Sequence, residues 1–384
     1  MNPSAGRFEA TQPSVLFQTR ILTHYRVRFH QAVRENLNQV GIRYRLVVGA
    51  PTSAELKKND LATLDWAESA PTRFWMGGRL VWLQPPRLDR NEIVVIGQEN
   101  AILSNYWLQV QRPLGRRLAY FGHGRNFQAD HPNSLAERFK RFWIDKIDWW
   151  FAYTQRSADI VANSGFPTDR ITVFNNAIDT SAIQSELASI SEADQSAVRA
   201  GQFAGSHNIG VFTGGLYDRK RIDHLIESAI EVRRRVPDFH LIIIGGGPDA
   251  PLVEAAAARH TWIHAMGPRF GREKTMLASL GRVSLMPGLV GLGVLDSFAY
   301  GAPMVTTELL YHSPEIDYLK DGVNGVIVRD ADSVDAYAAA VERILLDEAW
   351  RDHLRVGAAE ALETYTIEAM AQRFADGVVK ALGR

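Results

Sequence analysis

Short apolar runs alternate with segments of helical period along most of the chain. In the first half, SVLFQ (14–18), YRLVVG (44–49), EIVVIG (92–97), LAYFGHG (118–124), WWFAYT (149–154) and ITVFN (171–175) read as strands. Most are almost continuously apolar, the pattern of strands covered on both faces by helices. The second half repeats the rhythm with IGVFTGG (209–215), FHLIIIGGG (239–247), TWIHAMG (261–267), VSLMPG (283–288), PMVTT (303–307) and NGVIVRD (324–330). Between the first two of these, RIDHLIESAIEVRRRV sets Ile222, Leu225, Ile226, Ala229 and Val232 on one helical face. Two series of alternating strands and helices predict two parallel α/β domains.

The stretch 181–207 separates the two series. It is rich in Ser, Ala and Gln and poor in large apolar groups. The boundary expected from it gives an N-terminal domain over 1–185 and a C-terminal domain over 186–365. The amphipathic tail, 366–384, is expected to close the chain as a helix packed back on the first domain. A length of 384 residues agrees with more than one core.

Composition then narrows the function classes. Forty-three basic residues balance forty-three acidic ones, which speaks against a dedicated nucleic-acid binder. There is no cysteine, so disulfides, thiolate metal sites and cysteine nucleophiles are excluded. The start of the chain lacks the charged-then-apolar pattern of a signal peptide. No apolar run approaches the roughly 18 residues of a membrane span. A cytoplasmic protein is expected, with peripheral contact on the inner face of the cell membrane left open.

Candidate chemistry concentrates at glycine-rich strand ends. GLVGLGVLDSFAYGAP (288–303) follows a strand and runs into a helix. Its glycine order is not that of a dinucleotide fingerprint, which also wants an acid about 20 residues onward. Asp296 instead follows Gly293 almost at once. The turn would let a diphosphate approach backbone amides, with Asp296 one turn into the helix to accept from ribose hydroxyls. Alternatively, Asp296 simply favours its own helix N-terminus. FTGGLYDRKRIDHLIESA adds Arg219, Lys220 and Arg221 beside a Gly-Gly turn, either an anion site or a solvated basic surface. LIIIGGGPDAPLVEAA ends a further strand in glycines. Several such ends in one domain describe a nucleotide pocket.

These motifs resemble the family-4 retaining glycosyltransferases of the GT-B fold. The resemblance runs through TGGLYDRKRIDHLIESA, LIIIGGGPDAPLVE, MPGLVGLGVLDSFAYGAPMVTT and PEIDYLKDGVNGVIV, and more loosely through YFGHGRN and ITVFNNAID. It implies two facing Rossmann-like domains with a cleft between them. It also implies a UDP- or GDP-linked sugar as donor substrate, an acceptor held mainly by the N-terminal domain, and neither cofactor nor metal. By the same resemblance Lys220 meets the diphosphate, and Asp296 stands where the second acid of a paired-glutamate motif holds the ribose. Gly291, Leu292, Gly293, Val294 and Leu295 form the turn whose amides face the donor. His123 lies beneath the donor sugar, and Met266 and Gly267 lie near the base. The chain departs from the pattern twice. Gly288 stands where the family's first acid belongs, eight residues before the second, and Gly215 stands where an arginine is expected. The missing arginine would shift diphosphate charge onto Lys220, Arg219 or Arg221.

Further candidates come from the first half. His123 between two glycines either faces a ligand or packs as a loop residue. His24, Tyr25 and Arg26 precede an amphipathic helix and are acceptor candidates, as is Glu99 after EIVVIG; an ordinary helix cap and exposed face account for the first three as well. LAERFKRFWIDKIDWWFAYT (135–154) mixes Arg138, Lys140, Arg141 and Lys146 with Phe139, Phe142, Trp143, Trp149 and Trp150. It reads either as a membrane-facing surface reaching a lipid-linked acceptor or as a core helix running into a buried strand. The leading function is a hexosyltransferase of cell-surface polysaccharide or glycolipid synthesis, with a saccharide or lipid-linked acceptor. A nucleotide-sugar epimerase and a non-catalytic nucleotide-sugar binder are the alternatives.

Overall fold

Both expected strand series form, each as an all-parallel sheet. The computed structural model describes residues 12–56, 61–89, 92–124, 143 and 146–383. The chain divides into two units, Met1–Asp179 with Ile367–Arg384, and Thr180–Thr366.

The first unit contains β1 (Ser14–Thr19), β2 (Arg43–Val48), β3 (Glu68–Ser69), β4 (Thr72–Trp75), β5 (Leu80–Leu83), β6 (Glu92–Gly97), β7 (Arg117–Gly122), β8 (Trp149–Ala152) and β9 (Ile171–Val173). Seven of these form a parallel sheet in the order β3-β2-β1-β6-β7-β8-β9. Side chains alternate across it. Leu16, Val94, Leu118 and Trp150 share one core, while Phe17, Phe121 and Phe151 meet helices His24–Gln39 and Ile367–Ala381. Phe374, on the terminal helix, is fully buried among these rings, 4.3 Å from Phe151, 5.5 Å from Phe29 and 6.0 Å from Phe17 by ring centroid. At Gly377, one turn further on, a β-carbon would meet the Thr172 hydroxyl at 2.5 Å and Phe151 at 2.7 Å. The missing side chain is what lets this helix lie so close to the sheet.

The hairpin β4–β5 was not apparent from periodicity. Its strands are four residues each and pair antiparallel around Met76–Gly78. The Gly-Gly at 77–78, flanked by apolar runs, is nonetheless a recognised turn signal.

The second unit contains β10 (Ile209–Thr213), β11 (His240–Ile244), β12 (Ile263–Gly267), β13 (Val283–Met286), β14 (Met304–Thr307) and β15 (Gly325–Val328), in the order β12-β11-β10-β13-β14-β15. The order reverses between β10 and β13, and such a switch point is where open parallel sheets bind ligands. Residues 181–202, read from composition as a boundary stretch, form helices Ser181–Ala188 and Glu192–Gln202 of this second unit. The second opens on a capping box of Ser191 and Asp194, and its Ala- and Gln-rich sequence favours helix.

Part of the aromatic and basic stretch 135–154 is buried strand. Trp150 is fully buried and Trp149 nearly so, both within β8, which removes them from any membrane-facing surface. Trp143 is half-buried against Tyr106. Arg138, Phe139, Lys140, Arg141 and Phe142 lie outside the described residues. No helix among the described residues is long and apolar enough to cross a membrane.

Because Phe374 fills a shared aromatic core, Phe374→Ala is expected to cost about 3–5 kcal/mol. Urea denaturation checks this. A loss under about 1 kcal/mol, the level of an ordinary surface substitution, would detach the terminal helix from the first unit's core.

Candidate functional site

The second unit's switch point is built from two loops. After β10 the chain passes Gly214 and Gly215 into a short 3-10 turn, Asp218–Lys220. After β13 it passes Pro287 and Gly288 into the turn that leads to helix Gly293–Ala299. Lys220 bridges them. Its ammonium donates to the Leu289 carbonyl at 2.5 Å, with the Met286 sulfur at 3.6 Å. Only 8% of the residue is exposed, and burial lowers its pKa to about 8. The Leu289 amide returns a bond to the Arg219 carbonyl at 2.7 Å.

This contact explains Gly288. A β-carbon there would lie 2.4 Å from the Arg219 carbonyl oxygen and 2.4 Å from the Lys220 carbonyl carbon. The lysine's own backbone occupies the space an acid would need to leave the chain. Gly215 differs, because its β-carbon would meet only the Tyr217 ring, at 3.0 Å. Arg219 stacks on Tyr311 at 5.4 Å. Arg221 is committed elsewhere, donating to the Ala331 carbonyl at 2.6 Å and to Asp332 at 2.7 Å. Of the three adjacent cations, Lys220 is the one buried at the switch.

The turn after β13 is held from beneath. The Val290 amide donates to His312 Nδ1 at 3.0 Å, and His312 Nε2 lies 2.7 Å from the Thr307 carbonyl. Accepting at Nδ1 assigns the proton to Nε2. Thr307 in turn donates to the Pro287 carbonyl at 2.6 Å. Val294 and Leu295 have buried side chains, and their amides bond back to the Gly291 and Leu292 carbonyls at 3.2 and 2.9 Å. Those two amides are therefore engaged within the turn, unlike the expectation that all five face a ligand. Among the described residues the amides of Gly291, Leu292 and Gly293 make no such backbone bond. At Gly293 a side chain would enter open space.

Asp296 does not stand alone. Lys274 from helix Gly271–Ser279 donates to it at 3.0 Å. Burial opposes the lysine's charge, but Asp296 and Tyr300 outweigh it and hold the ammonium above its ordinary value. Lys274 lies 22 residues upstream and was not singled out in the sequence. Met266 packs at the margin of the core of Phe203, Ile209 and Ile244, and Gly267 ends β12, its carbonyl accepting from Gly245 at 3.0 Å.

In the first unit the candidates fall at the C-terminal edge of the sheet. His123 follows β7, with its ring 4.1 Å from Tyr153, which follows β8. Gly124 after it is required twice over, having φ of 79° and a would-be β-carbon 3.1 Å from the Ser157 carbonyl. Arg26, in the first turn of helix His24–Gln39, lies 6.0 Å from the Tyr153 ring and donates to Asn176 at 2.6 Å. Thus Tyr153 brings His123 and Arg26 into one cluster, with the buried Asn176 behind the arginine. His24 and Tyr25 are exposed at the same helix start. Glu99 belongs to a different group, 3.5 Å from Arg20, which also pairs with Glu55. Burial lowers the arginine's pKa, yet the two carboxylates together hold it above its ordinary value. Tyr153, Asn176 and Arg20 were missed in the sequence, although Tyr153 and Arg20 directly follow strands and Asn176 lies three residues past one, the position that flags ligand contacts.

Residues 207–347 match the family model described as glycosyl transferases group 1. The chain is 23% identical over 330 residues to an alpha-D-kanosaminyltransferase of Streptomyces kanamyceticus, covering 80% of this chain and 83% of that one. It is 32% identical over 158 residues to a GDP-mannose-dependent alpha-(1-6)-phosphatidylinositol monomannoside mannosyltransferase of Mycolicibacterium smegmatis, 37% of this chain and 40% of that one. Among solved structures, HepE of Anabaena in complex with UDP superposes with a TM-score of 0.68 at 14% identity, over 96% of this chain and all of that one. Residues 207–347 thus match glycosyl transferases group 1, and the chain as a whole has the GT-B fold of its structural neighbours.

Proposed function

We propose that the protein is a retaining, metal-independent hexosyltransferase that uses a UDP- or GDP-linked sugar as donor. The acceptor is a hydroxyl of a saccharide or lipid-linked glycan in cell-surface polysaccharide or glycolipid synthesis, met at the inner face of the membrane. The observation that carries this reading is the buried, lowered-pKa Lys220 at the second unit's switch point. The relative that acts on a phosphatidylinositol mannoside and the HepE complex with UDP-glucose support the donor and acceptor classes.

In this reading the donor diphosphate lies against Lys220 and the amides of Gly291, Leu292 and Gly293. An ammonium has three donors. Leu289 takes one and Met286 a weak second, which leaves a hydrogen for a phosphate oxygen. Asp296, oriented by Lys274, accepts from the ribose hydroxyls, while Met266 and Gly267 border the base. Gly215 and Arg219 flank the diphosphate. His123 contacts the donor sugar, and His24, Tyr25, Arg26 and Glu99 take the acceptor. Front-face attack by the acceptor hydroxyl breaks the bond to the diphosphate through an oxocarbenium-like sugar. Negative charge grows on the departing diphosphate, and a fixed cation in a site of low dielectric stabilises it most.

Mutation of Lys220 and analysis of the products test the reading. Lys220→Ala is expected to lower kcat by about 10²–10³ with the fold preserved, as circular dichroism would check. Turnover near that of the unaltered enzyme at saturating donor would remove Lys220 from the mechanism. A transferase releases nucleoside diphosphate only with acceptor present, whereas an epimerase converts the donor alone and a binder does neither.

The pH profile gives a second check. Lys220 is charged below its lowered pKa of about 8 and neutral above it, so kcat/KM should fall as pH rises through about 8. Lys220→Arg should abolish that limb. A flat profile across this range in the unaltered enzyme would contradict the assignment.

Finally, Gly288→Glu restores the acid of the family pattern at a position with no room for a side chain. It is expected to destabilise the protein by about 1–3 kcal/mol and to depress activity. A stable, more active variant would show that the Arg219–Lys220 backbone yields.

A further inference from the structure

We propose that the second unit carries a separate anion site at the N-terminal edge of its sheet, which takes a phosphorylated, polyhydroxylated small molecule the size of a sugar phosphate. The site is a cavity of about 460 Å³. That volume lies in the range of small-molecule pockets and exceeds what a bare phosphate fills. Its lining comes from segments that precede strands: His207 before β10, Arg282 before β13, and Tyr300 and Gly301 before β14. The switch-point loops with Lys220 leave the opposite, C-terminal ends of β10 and β13. Five residues of β10 at about 3.3 Å each separate the two edges, so one ligand of this size does not occupy both.

Cations dominate one wall. Arg199 from helix Glu192–Gln202 and Arg282 both line the cavity, and neither forms an ion pair with a carboxylate among the described residues. Arg199 reaches only the Gln195 side-chain oxygen at 3.3 Å, and its Nε is buried with no hydrogen-bond partner. Arg282 reaches only Asn208, also at 3.3 Å. Burial, with Arg351 and Arg199 nearby, holds Arg282 below its ordinary pKa. Burial and the same Arg199 and Arg282 also hold His207 below its ordinary pKa, with Glu192 opposing them, and all four line the same cavity. Arg351 is different, being spent on the Ile344 and Leu345 carbonyls at 3.1 and 3.2 Å. Two under-partnered guanidiniums lining one cavity repel each other, and an anion between them removes that repulsion. The planar fork of arginine suits phosphate oxygens.

The other wall carries Glu348 and Asp352 of helix Glu348–Thr364, which also pair with Arg351 at 3.8 Å and Arg355 at 3.4 Å, while Glu192 comes from Arg199's own helix. Carboxylates there oppose an anion and accept hydrogen bonds from hydroxyl groups. A ligand with its phosphate on Arg199 and Arg282 and its hydroxyls toward these acids satisfies both walls. Helix Gly293–Ala299 runs from the switch-point turn to Tyr300 and Gly301, so one short helix links the two sites.

Isothermal titration of the full chain with glucose 6-phosphate, inorganic phosphate and UDP tests the proposal, which does not rest on the transferase reading. Glucose 6-phosphate should bind the unaltered chain and Lys220→Ala alike, more tightly than inorganic phosphate does. The double substitution Arg199→Gln, Arg282→Gln should weaken it at least about tenfold while leaving UDP binding and the melting temperature in place. No binding of glucose 6-phosphate, or equal binding by the double variant, would overturn the site. Equal affinity for inorganic phosphate would overturn the role given to the acidic wall.

Discussion

The Lys220 ammonium sits at the point where the second sheet's strand order reverses, and the surrounding structure is arranged around that one buried charge. Burial disfavours a cation, which is why its pKa falls to about 8. A single carbonyl, that of Leu289, is its close protein partner. A buried carboxylate partner would have neutralised it and raised that pKa. The chain instead keeps a poorly compensated positive charge beside a glycine turn, which favours an arriving anion over the empty state. The same bridge draws the loops after β10 and β13 together until the Arg219–Lys220 backbone presses on Gly288. The position of the lysine and the loss of the acid at 288 are thus one structural fact.

Backbone packing of this kind also accounts for glycines that read as phosphate cradles. A β-carbon at Gly245 would sit 1.8 Å from the Gly214 carbonyl oxygen, and one at Gly247 would sit 2.2 Å from that of Leu216. The loops leaving β10 and β11 cross in direct contact, and only glycine permits the crossing. Their glycines serve the loop crossing, whereas the amides at 291–293 make no backbone bond among the described residues. Strand-end glycine is a good marker of the functional edge of a sheet. It does not by itself say which glycine faces the ligand.

The strands and the two-unit division were legible because buried parallel strands are near-continuous apolar runs, and every run quoted from the sequence became one. The β4–β5 hairpin was not, since four-residue strands are too short to establish a period. At the site, Lys220 and Asp296 were legible from their place after glycine turns. Their partners were not. Lys274 reaches Asp296 from 22 residues away, and Asn176 reaches Arg26 from 150. Such pairs are brought together by the order of strands in the sheet, which local spacing does not encode. The identity of the engaged amides was equally hidden: Val294 and Leu295 donate three residues back, to Gly291 and Leu292, as the helix opens.

The Asp296–Lys274 pair decides how charge is shared across the second unit's site. A carboxylate accepts on both oxygens, so bonding Lys274 through one of them fixes its orientation and still leaves acceptor capacity for a hydroxyl. The pair is close to neutral as a whole, and with Tyr300 beside it the lysine remains protonated. It therefore adds little net field at the glycine turn. Arg221 is likewise tied to Asp332. With both of these cations cancelled locally, the cation buried at the sheet's switch point is Lys220. That charge favours an anion beside the loops after β10 and β13, while Asp296 keeps acceptor capacity for a hydroxyl. Orientation and charge compensation fall to different residues, and each can be altered without the other.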